Sequence, residues 1–278
     1  MSWWQALILG IVQGLTEFLP VSSSGHLMIF REIVGADPDG FLGFTVMVHF
    51  ATVLSTVIVF WSAIVSLLKG LFKFRYNDET DYICKIIVSM VPVAIVGFFL
   101  KDKVEALFGD SLFTVAVCLV ITAVLLFISD HFSIFSSWKK HPGGEPGVRS
   151  YRNGISYWQA FVVGIGQAFA VAPGLSRSGT TISTGLVCGV KREVMAQFSF
   201  LMVLVPIVGE QFLQLLDVAS GEAVFAEGVG AGAMIAGFLA AFISGLFACR
   251  MMVALVRKAR LTWFALYCLV VALVILCL

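Results

Sequence analysis

The sequence predicts an all-α polytopic membrane protein that is built as an inverted-topology repeat. Three observations support this fold class: the composition, a set of long apolar runs, and a segment of 25 residues that occurs twice. Of the 278 residues, 59% are hydrophobic and 13% are charged, and the mean hydropathy is +0.99. A soluble domain averages about 25% charged residues. The net charge of +1 argues against a nucleic-acid partner, which needs a basic patch.

Six apolar runs are long enough to cross a bilayer as helices, which takes roughly 20 residues each. Polar, charged or turn-forming stretches separate them, and none of these stretches is typical of a soluble domain. Residues 1–278 are therefore predicted to form a single membrane domain. The predicted spans are 44–68, 82–100, 111–129, 194–216, 229–256 and 262–278.

Two further regions, 2–35 and 156–189, are apolar but broken. Each has a short apolar segment, a proline, a hydroxyl-rich patch and a second short segment, and each half is too short to cross about 30 Å of hydrocarbon. A shift of 154 positions aligns 2–26 with 156–180 without a gap and gives ten identities in 25 positions. These regions therefore mark an internal repeat, 1–130 and 155–278, joined by a loop at 131–153.

Each repeat consists of one broken re-entrant helix pair and three transmembrane helices. Because three is odd, the second repeat enters the membrane from the opposite side, and sites in such inverted repeats gather near the midplane. With the loops 69–81, 131–153 and 257–260 in the cytoplasm, fourteen Lys and Arg residues lie inside and three outside. This bias predicts that both termini face outward.

A polar cluster lies at the break of the second pair, in the sequence PGLSRSGTT at 173–181. Arg177 is costly at membrane depth and is therefore a functional candidate. Its planar fork suits phosphate, and the helix that begins here turns its N-terminus toward the same place. Gly174 and Gly179 allow close backbone approach. The alternative is a structural ion pair between Arg177 and Glu17.

The matching cluster in the first repeat is QGLTEFLPVSSSGH at 13–26. Gln13 and Glu17 are four residues apart and share a helix face. Glu17 and His26 beside a run of serines, which includes Ser23, offer an acid or base, a nucleophile and a metal ligand. His49 is a lone histidine on an apolar span and is interpreted as packed.

These two segments resemble the signature motifs of the undecaprenyl-diphosphate phosphatase family of the bacitracin-resistance type, and the resemblance covers essentially the whole chain. The family's first motif has Glu or Gln, then three residues, then Glu. This chain carries the Gln form, Gln13 and Glu17, so the pair offers one carboxylate.

The resemblance implies removal of the terminal phosphate from a C55 isoprenyl diphosphate, with Mg²⁺ or Ca²⁺, at the outer face of the bacterial plasma (inner) membrane. The expected partners are this lipid, membrane lipid and, as a candidate assembly, a second copy in a homodimer. Matching positions assign the catalytic group to Glu17, Ser23, His26 and Arg177, with Glu17 as metal ligand. The residues expected to contact substrate are Gln13, Ser22, Ser24, Ser176, Ser178 and Thr181.

Two alternatives stay open. The attacking group is either Ser23, deprotonated by His26, or a water that His26 activates. The competing function is transport of a lipid phosphate or an anion, because inverted repeats with broken helices are a transporter architecture. A carrier needs a clamp such as Arg177 but has less need of Glu17, Ser23 and His26 together.

Overall fold

The computed structural model describes residues 1–37, 40–100, 111–131, 153–172, 174–219, 229–258 and 260–277. These residues form helices, turns and no strand, which confirms the all-α prediction. The helices within the described ranges are α1 (Trp3–Thr16), α2 (Ser23–Val34), α3 (Phe41–Val59), α4 (Trp61–Leu71), α5 (Asp78–Phe99), α6 (Leu112–His131), α7 (Tyr157–Phe169), α8 (Arg177–Val187), α9 (Arg192–Ala219), α10 (Ala231–Lys258) and α11 (Thr262–Cys277).

The described helices include four that are long and apolar enough to cross a membrane, and five if a bent pair counts as one span. The four are α5, α6, the Arg192–Gly209 part of α9, and Ala231–Val256 of α10. The chain is therefore a multi-pass membrane protein. The predicted span 44–68 is not one straight helix, because α3 and α4 meet at a 73° bend. Helix α11 has 16 residues, fewer than the roughly 20 of a typical span.

The chain divides into two compact units. The first contains Met1–Leu19, Ser23–Val59 and Val203–Met252. Its core joins α1, α2, α3 and α10 around buried side chains such as Leu9, Leu27 and Phe44. A Cβ atom at Gly10 would lie 2.3 Å from the Gly237 carbonyl oxygen, so α1 and α10 pack at backbone distance. Small residues permit such close helix packing in membranes.

The second unit contains Pro20–Ser22, Phe60–Met202 and Val253–Leu278. Within it α5 packs on α4 and α7, α6 packs on α8 and α11, and α7 packs on α8. The contact of α5 with α7 is again very close, since a Cβ atom at Gly164 would lie 2.2 Å from the Ser89 carbonyl oxygen.

Helices α1 and α7, which begin the two repeated segments, start with the same local structure. Ser2 and Gln5 form a capping box at α1, and Ser156 and Gln159 form one at α7. In such a box two side chains satisfy two backbone donors of the first turn. Each glutamine also donates to a carbonyl at the end of the next helix, Gln5 to Val34 at 2.9 Å and Gln159 to Cys188 at 3.0 Å.

Lys85, one of the fourteen Lys and Arg residues assigned to the inner face, lies within α5 and is buried. Its Nζ atom lies 2.5 Å from Asp81 Oδ2, and both side chains are fully buried. The hydroxyls of Tyr76 and Tyr157 donate to the other carboxylate oxygen of Asp81, at 2.5 and 3.0 Å. The hydrogen bond to Asp81 raises the pKa of Tyr76 above its usual value, so this hydroxyl stays a donor. The buried pair joins α5 to the start of α7.

Packing at Gly164 predicts that Gly164→Ala destabilises the protein by about 1–3 kcal/mol, because the methyl group forces α5 and α7 apart. Thermal denaturation of the detergent-purified protein measures the loss. Gly97→Ala is the matched control in α5, where an added Cβ atom meets nothing within 4 Å. Equal denaturation midpoints for the two variants would contradict the close contact.

The buried Asp81–Lys85 ion pair predicts that the effects of substitutions at these two positions on stability are strongly non-additive. Lys85→Met leaves an uncompensated buried carboxylate and should cost about 3–5 kcal/mol of stability. Asp81→Asn in the same chain removes that charge but keeps an oxygen that accepts from the tyrosines, so the double variant should recover most of the loss. Denaturation midpoints test this, and a double variant no more stable than Lys85→Met alone would refute the ion pair.

Candidate active site

The first half of the candidate site lies at the break between α1 and α2. Glu17 is the C-cap residue of α1 and keeps helical backbone angles, with its N–H bonded to the Gln13 carbonyl at 2.9 Å. The side chains of Gln13 and Glu17 therefore lie on one helix face, and Gln13 Nε2 donates to Glu17 Oε2 at 2.8 Å. The Glu17 side chain is 11% exposed.

Ser23, the first residue of α2, contacts the same carboxylate oxygen. Its hydroxyl donates to Glu17 Oε2 at 2.6 Å, which is the short range expected for a hydroxyl bonded to a carboxylate. A candidate nucleophile and a candidate base, six residues apart in sequence, are thus in direct contact.

His49, interpreted from the sequence as packed, is largely buried and lies beside Glu17. From α3 its Nε2 atom lies 3.6 Å from Glu17 Oε2, and its Nδ1 atom lies 2.8 Å from the Thr45 carbonyl oxygen. The sequence carried one indication, since an ionisable residue within an apolar span is by default a functional candidate.

The other predicted residues of this half surround the break. His26 lies in the first turn of α2 and is 2% exposed, and Ser24 beside it is half-buried. Ser22 is buried and has a φ of +69°, in the left-handed region that residues other than glycine rarely adopt. Backbone strain of this kind clusters at functional sites.

The second predicted polar cluster lies at the start of α8, within the second unit. Ser176 is the N-cap residue, and its hydroxyl accepts from the Gly179 N–H at 3.1 Å. Arg177 is the first helical residue and is half-buried. The guanidinium and the helix N-terminus, both suited to an anion, therefore occur at one point of the chain. Arg177 belongs to the second unit and Glu17 to the first.

The hydroxyls around Arg177 already have protein partners. Thr181 bonds to the Arg177 carbonyl at 2.9 Å and to the Ser199 hydroxyl at 2.6 Å, which joins α8 to α9. The Ser178 hydroxyl lies 3.4 Å from that of Ser176. These contacts give the hydroxyls a structural role in this state, and their contact with phosphate stays a prediction.

The two glycines of this cluster allow close approach to protein. Gly174 has a φ of +88°, and a Cβ atom there would lie 3.2 Å from Val115 Cα. A Cβ atom at Gly179 would lie 3.1 Å from Thr122 Cγ2. Both neighbours belong to α6. The glycines thus let α6 approach the break closely, and close approach of the backbone to a phosphate stays a prediction.

The side-chain oxygen atoms of Glu17 and Gln13 suit a hard divalent cation. The described residues contain no cluster of three or more His, Cys, Asp or Glu side chains able to hold a metal. Gln13, however, is fully buried, and its Oε1 atom has no hydrogen-bond partner among the described residues. Mg²⁺ typically binds through one or two carboxylates together with substrate phosphates. Glu17 and Gln13 supply oxygen donors of this kind.

The backbone of Ser22 predicts a stability difference between two small substitutions. Ser22→Gly and Ser22→Ala both remove the hydroxyl, but only glycine adopts a φ of +69° without steric cost. The glycine variant should be more stable than the alanine variant by about 1 kcal/mol. Denaturation midpoints of the two proteins measure this difference, and a more stable alanine variant would contradict the left-handed turn.

Comparison with known proteins agrees with the motifs. The family described as "Bacitracin resistance protein BacA" matches residues 6–274. A protein of Bacteroides thetaiotaomicron named undecaprenyl-diphosphatase is 46% identical over 276 residues, which cover 99% of this chain and 98% of the relative. A protein of Parabacteroides distasonis with the same name is 47% identical over 99% of this chain and 97% of the relative. A protein of Methanococcus vannielii, also named undecaprenyl-diphosphatase, is 38% identical over 97% of this chain and 98% of the relative. The chain belongs to the BacA family of bacitracin resistance proteins.

Proposed function

We propose that the protein is an integral-membrane phosphatase that removes the terminal phosphate of undecaprenyl diphosphate and yields undecaprenyl phosphate. This reaction recycles the lipid carrier of cell-wall synthesis and accounts for bacitracin resistance. The family relationship over nearly the whole chain supports the activity. The observation that carries the chemistry is the 2.6 Å hydrogen bond from Ser23 to Glu17, which places a hydroxyl beside a carboxylate able to take its proton.

In the first step Ser23 Oγ attacks the terminal phosphorus and its proton passes to Glu17. The bond from this phosphorus to the bridging oxygen breaks, and undecaprenyl phosphate leaves. The sequence suggested His26 as the base for Ser23. The direct contact with Glu17 favours Glu17 in that role instead.

In the second step a water attacks the phosphoserine, and His26 takes the proton of this water. Ser23 Oγ recovers its proton from Glu17, and inorganic phosphate is released. The competing mechanism is direct attack by a water that His26 activates, with Ser23 as a phosphate contact only.

Arg177 and the N-terminus of α8 hold the phosphates and stabilise the charge of the transition state. Ser176, Ser178, Thr181, Ser22, Ser24 and Gln13 are the proposed substrate neighbours. Mg²⁺ or Ca²⁺, held by Glu17 and by substrate phosphate oxygens, would offset negative charge when bound.

The repeat and the charge bias support the proposed topology. Each half contributes a broken re-entrant pair and three spans, in opposite orientations, with the termini and the opening of the site at the periplasmic face. A homodimer is a candidate assembly. Transport of a lipid phosphate by the same fold is the alternative, and the names of the relatives and the Ser23–Glu17 contact favour hydrolysis.

The first test is phosphate release from a C55 or C15 isoprenyl diphosphate by detergent-purified protein. Wild type should release phosphate, and EDTA should abolish the release. Glu17→Gln, which keeps the shape but removes the base, should lower the rate about 10²–10⁴-fold, and His26→Ala and Arg177→Ala should be comparably impaired. Gly97→Ala, outside the site, should retain full activity. An inactive but folded wild type that still binds the lipid phosphate would indicate a carrier.

Acid quench during turnover separates the two mechanisms. A phosphoserine at Ser23 is expected if Ser23 is the nucleophile, and Ser23→Ala should be inactive. Substantial activity in Ser23→Ala would instead show direct attack by water.

A further inference from the structure

A histidine nitrogen and a carboxylate oxygen face each other in the first half of the site. His49 Nδ1 lies 2.8 Å from the Thr45 carbonyl oxygen, which can only accept, so Nδ1 carries the hydrogen. In the neutral ring Nε2 is then an acceptor. It lies 3.6 Å from Glu17 Oε2, which is too long for a direct hydrogen bond. Two acceptors at this separation are stabilised by a positive charge between them.

The separation suits one shared ion. Nitrogen and oxygen ligands lie about 2.0–2.2 Å from a tetrahedral Zn²⁺, so two such atoms on one ion are at most roughly 4.4 Å apart. The 3.6 Å between Nε2 and Oε2 falls within this limit. The bond from Nδ1–H to a backbone carbonyl is also the outer contact that metal-bound histidines characteristically make, because it fixes the tautomer and the ring orientation.

A third candidate donor to the ion is the side-chain oxygen of Gln13, whose amide nitrogen already bonds to Glu17. Gln13 is fully buried and donates through Nε2 to Glu17 Oε2, while its Oε1 atom has no hydrogen-bond partner within the described ranges. Turning the amide over would direct Oε1 toward the carboxylate and free one lone-pair direction of Oε2. A cation between the two oxygen atoms makes that arrangement favourable.

We propose that His49 Nε2 is a ligand of the divalent cation at Glu17, with Gln13 Oε1 as a further donor. This inference rests on the proposed function, because the cation is the one that acts on the diphosphate. An imidazole ligand disfavours Ca²⁺ and Mg²⁺ relative to the later transition metals, whereas carboxylate and amide oxygens suit the former. The site therefore binds Mn²⁺, Co²⁺ and Zn²⁺ more tightly than Ca²⁺.

The test uses Mn²⁺ as the probe on the full-length, detergent-purified protein. Pulsed electron paramagnetic resonance should detect coupling of bound Mn²⁺ to a histidine nitrogen, and labelling with ¹⁵N-histidine should change that coupling. In His49→Gln the coupling should be lost. The Mn²⁺ affinity of this variant should fall at least about tenfold, the lower end of what loss of even an outer-shell contact costs. Its Ca²⁺ affinity should fall much less, because glutamine offers an oxygen donor.

His131→Gln is the matched control. His131 also lies with Nδ1 near the carbonyl four residues before it, at 3.0 Å from Phe127, but it is exposed at the end of α6. This variant should keep the coupling and the affinity. His26→Gln and His141→Gln should also keep the coupling. Together with His131→Gln they exclude the three other histidines of the chain and assign the nitrogen to His49 even if His49→Gln fails to fold.

Three results would overturn the proposal: Mn²⁺ bound without histidine coupling, coupling lost in His26→Gln, or no Mn²⁺ bound at all. The first would leave an ion pair between His49 and Glu17 as the explanation of their contact. Histidine-coupled Mn²⁺ in a wild type that releases no phosphate would support the metal site and refute the phosphatase, so the two failures are distinguishable.

Discussion

One carboxylate, Glu17, organises the first half of the site. Its Oε2 atom accepts from Gln13 on the preceding turn and from Ser23 across the break, and it faces His49 of α3. A charge in such apolar surroundings is costly unless other groups compensate it. Groups from three helices therefore converge on one anion, and the hydroxyl of the candidate nucleophile is one of them.

Local features of the site could be predicted from residue spacing and from helix-breaking residues. The four-residue spacing of Gln13 and Glu17 placed them on one helix face, and the proline and hydroxyl-rich patches marked the two breaks, at which α2 and α8 begin close to the predicted positions. Such features depend on contacts between residues near in the chain, for which helical geometry alone suffices.

Features that depend on packing between helices were not predictable in this way. His49 is 32 positions from Glu17, and only the packing of the first unit brings its ring to the carboxylate. Lys85 was counted among the inner-face charges, and its burial beside Asp81, whose carboxylate also accepts from Tyr157 of α7, depends on packing between helices. The bend between α3 and α4 lies at Phe60, within the apolar run 44–68. This run contains no glycine or proline that would indicate a break in the helix.

The capping boxes of α1 and α7 bear on how the protein is assembled in the cell. In each, a serine and a glutamine of the helix itself satisfy donors that would otherwise need water. An unsatisfied N–H costs several kcal/mol in hydrocarbon. A short apolar helix that carries its own cap enters hydrocarbon with fewer unsatisfied donors, whether or not its neighbours have been made, which lowers the cost of inserting α1 and α7.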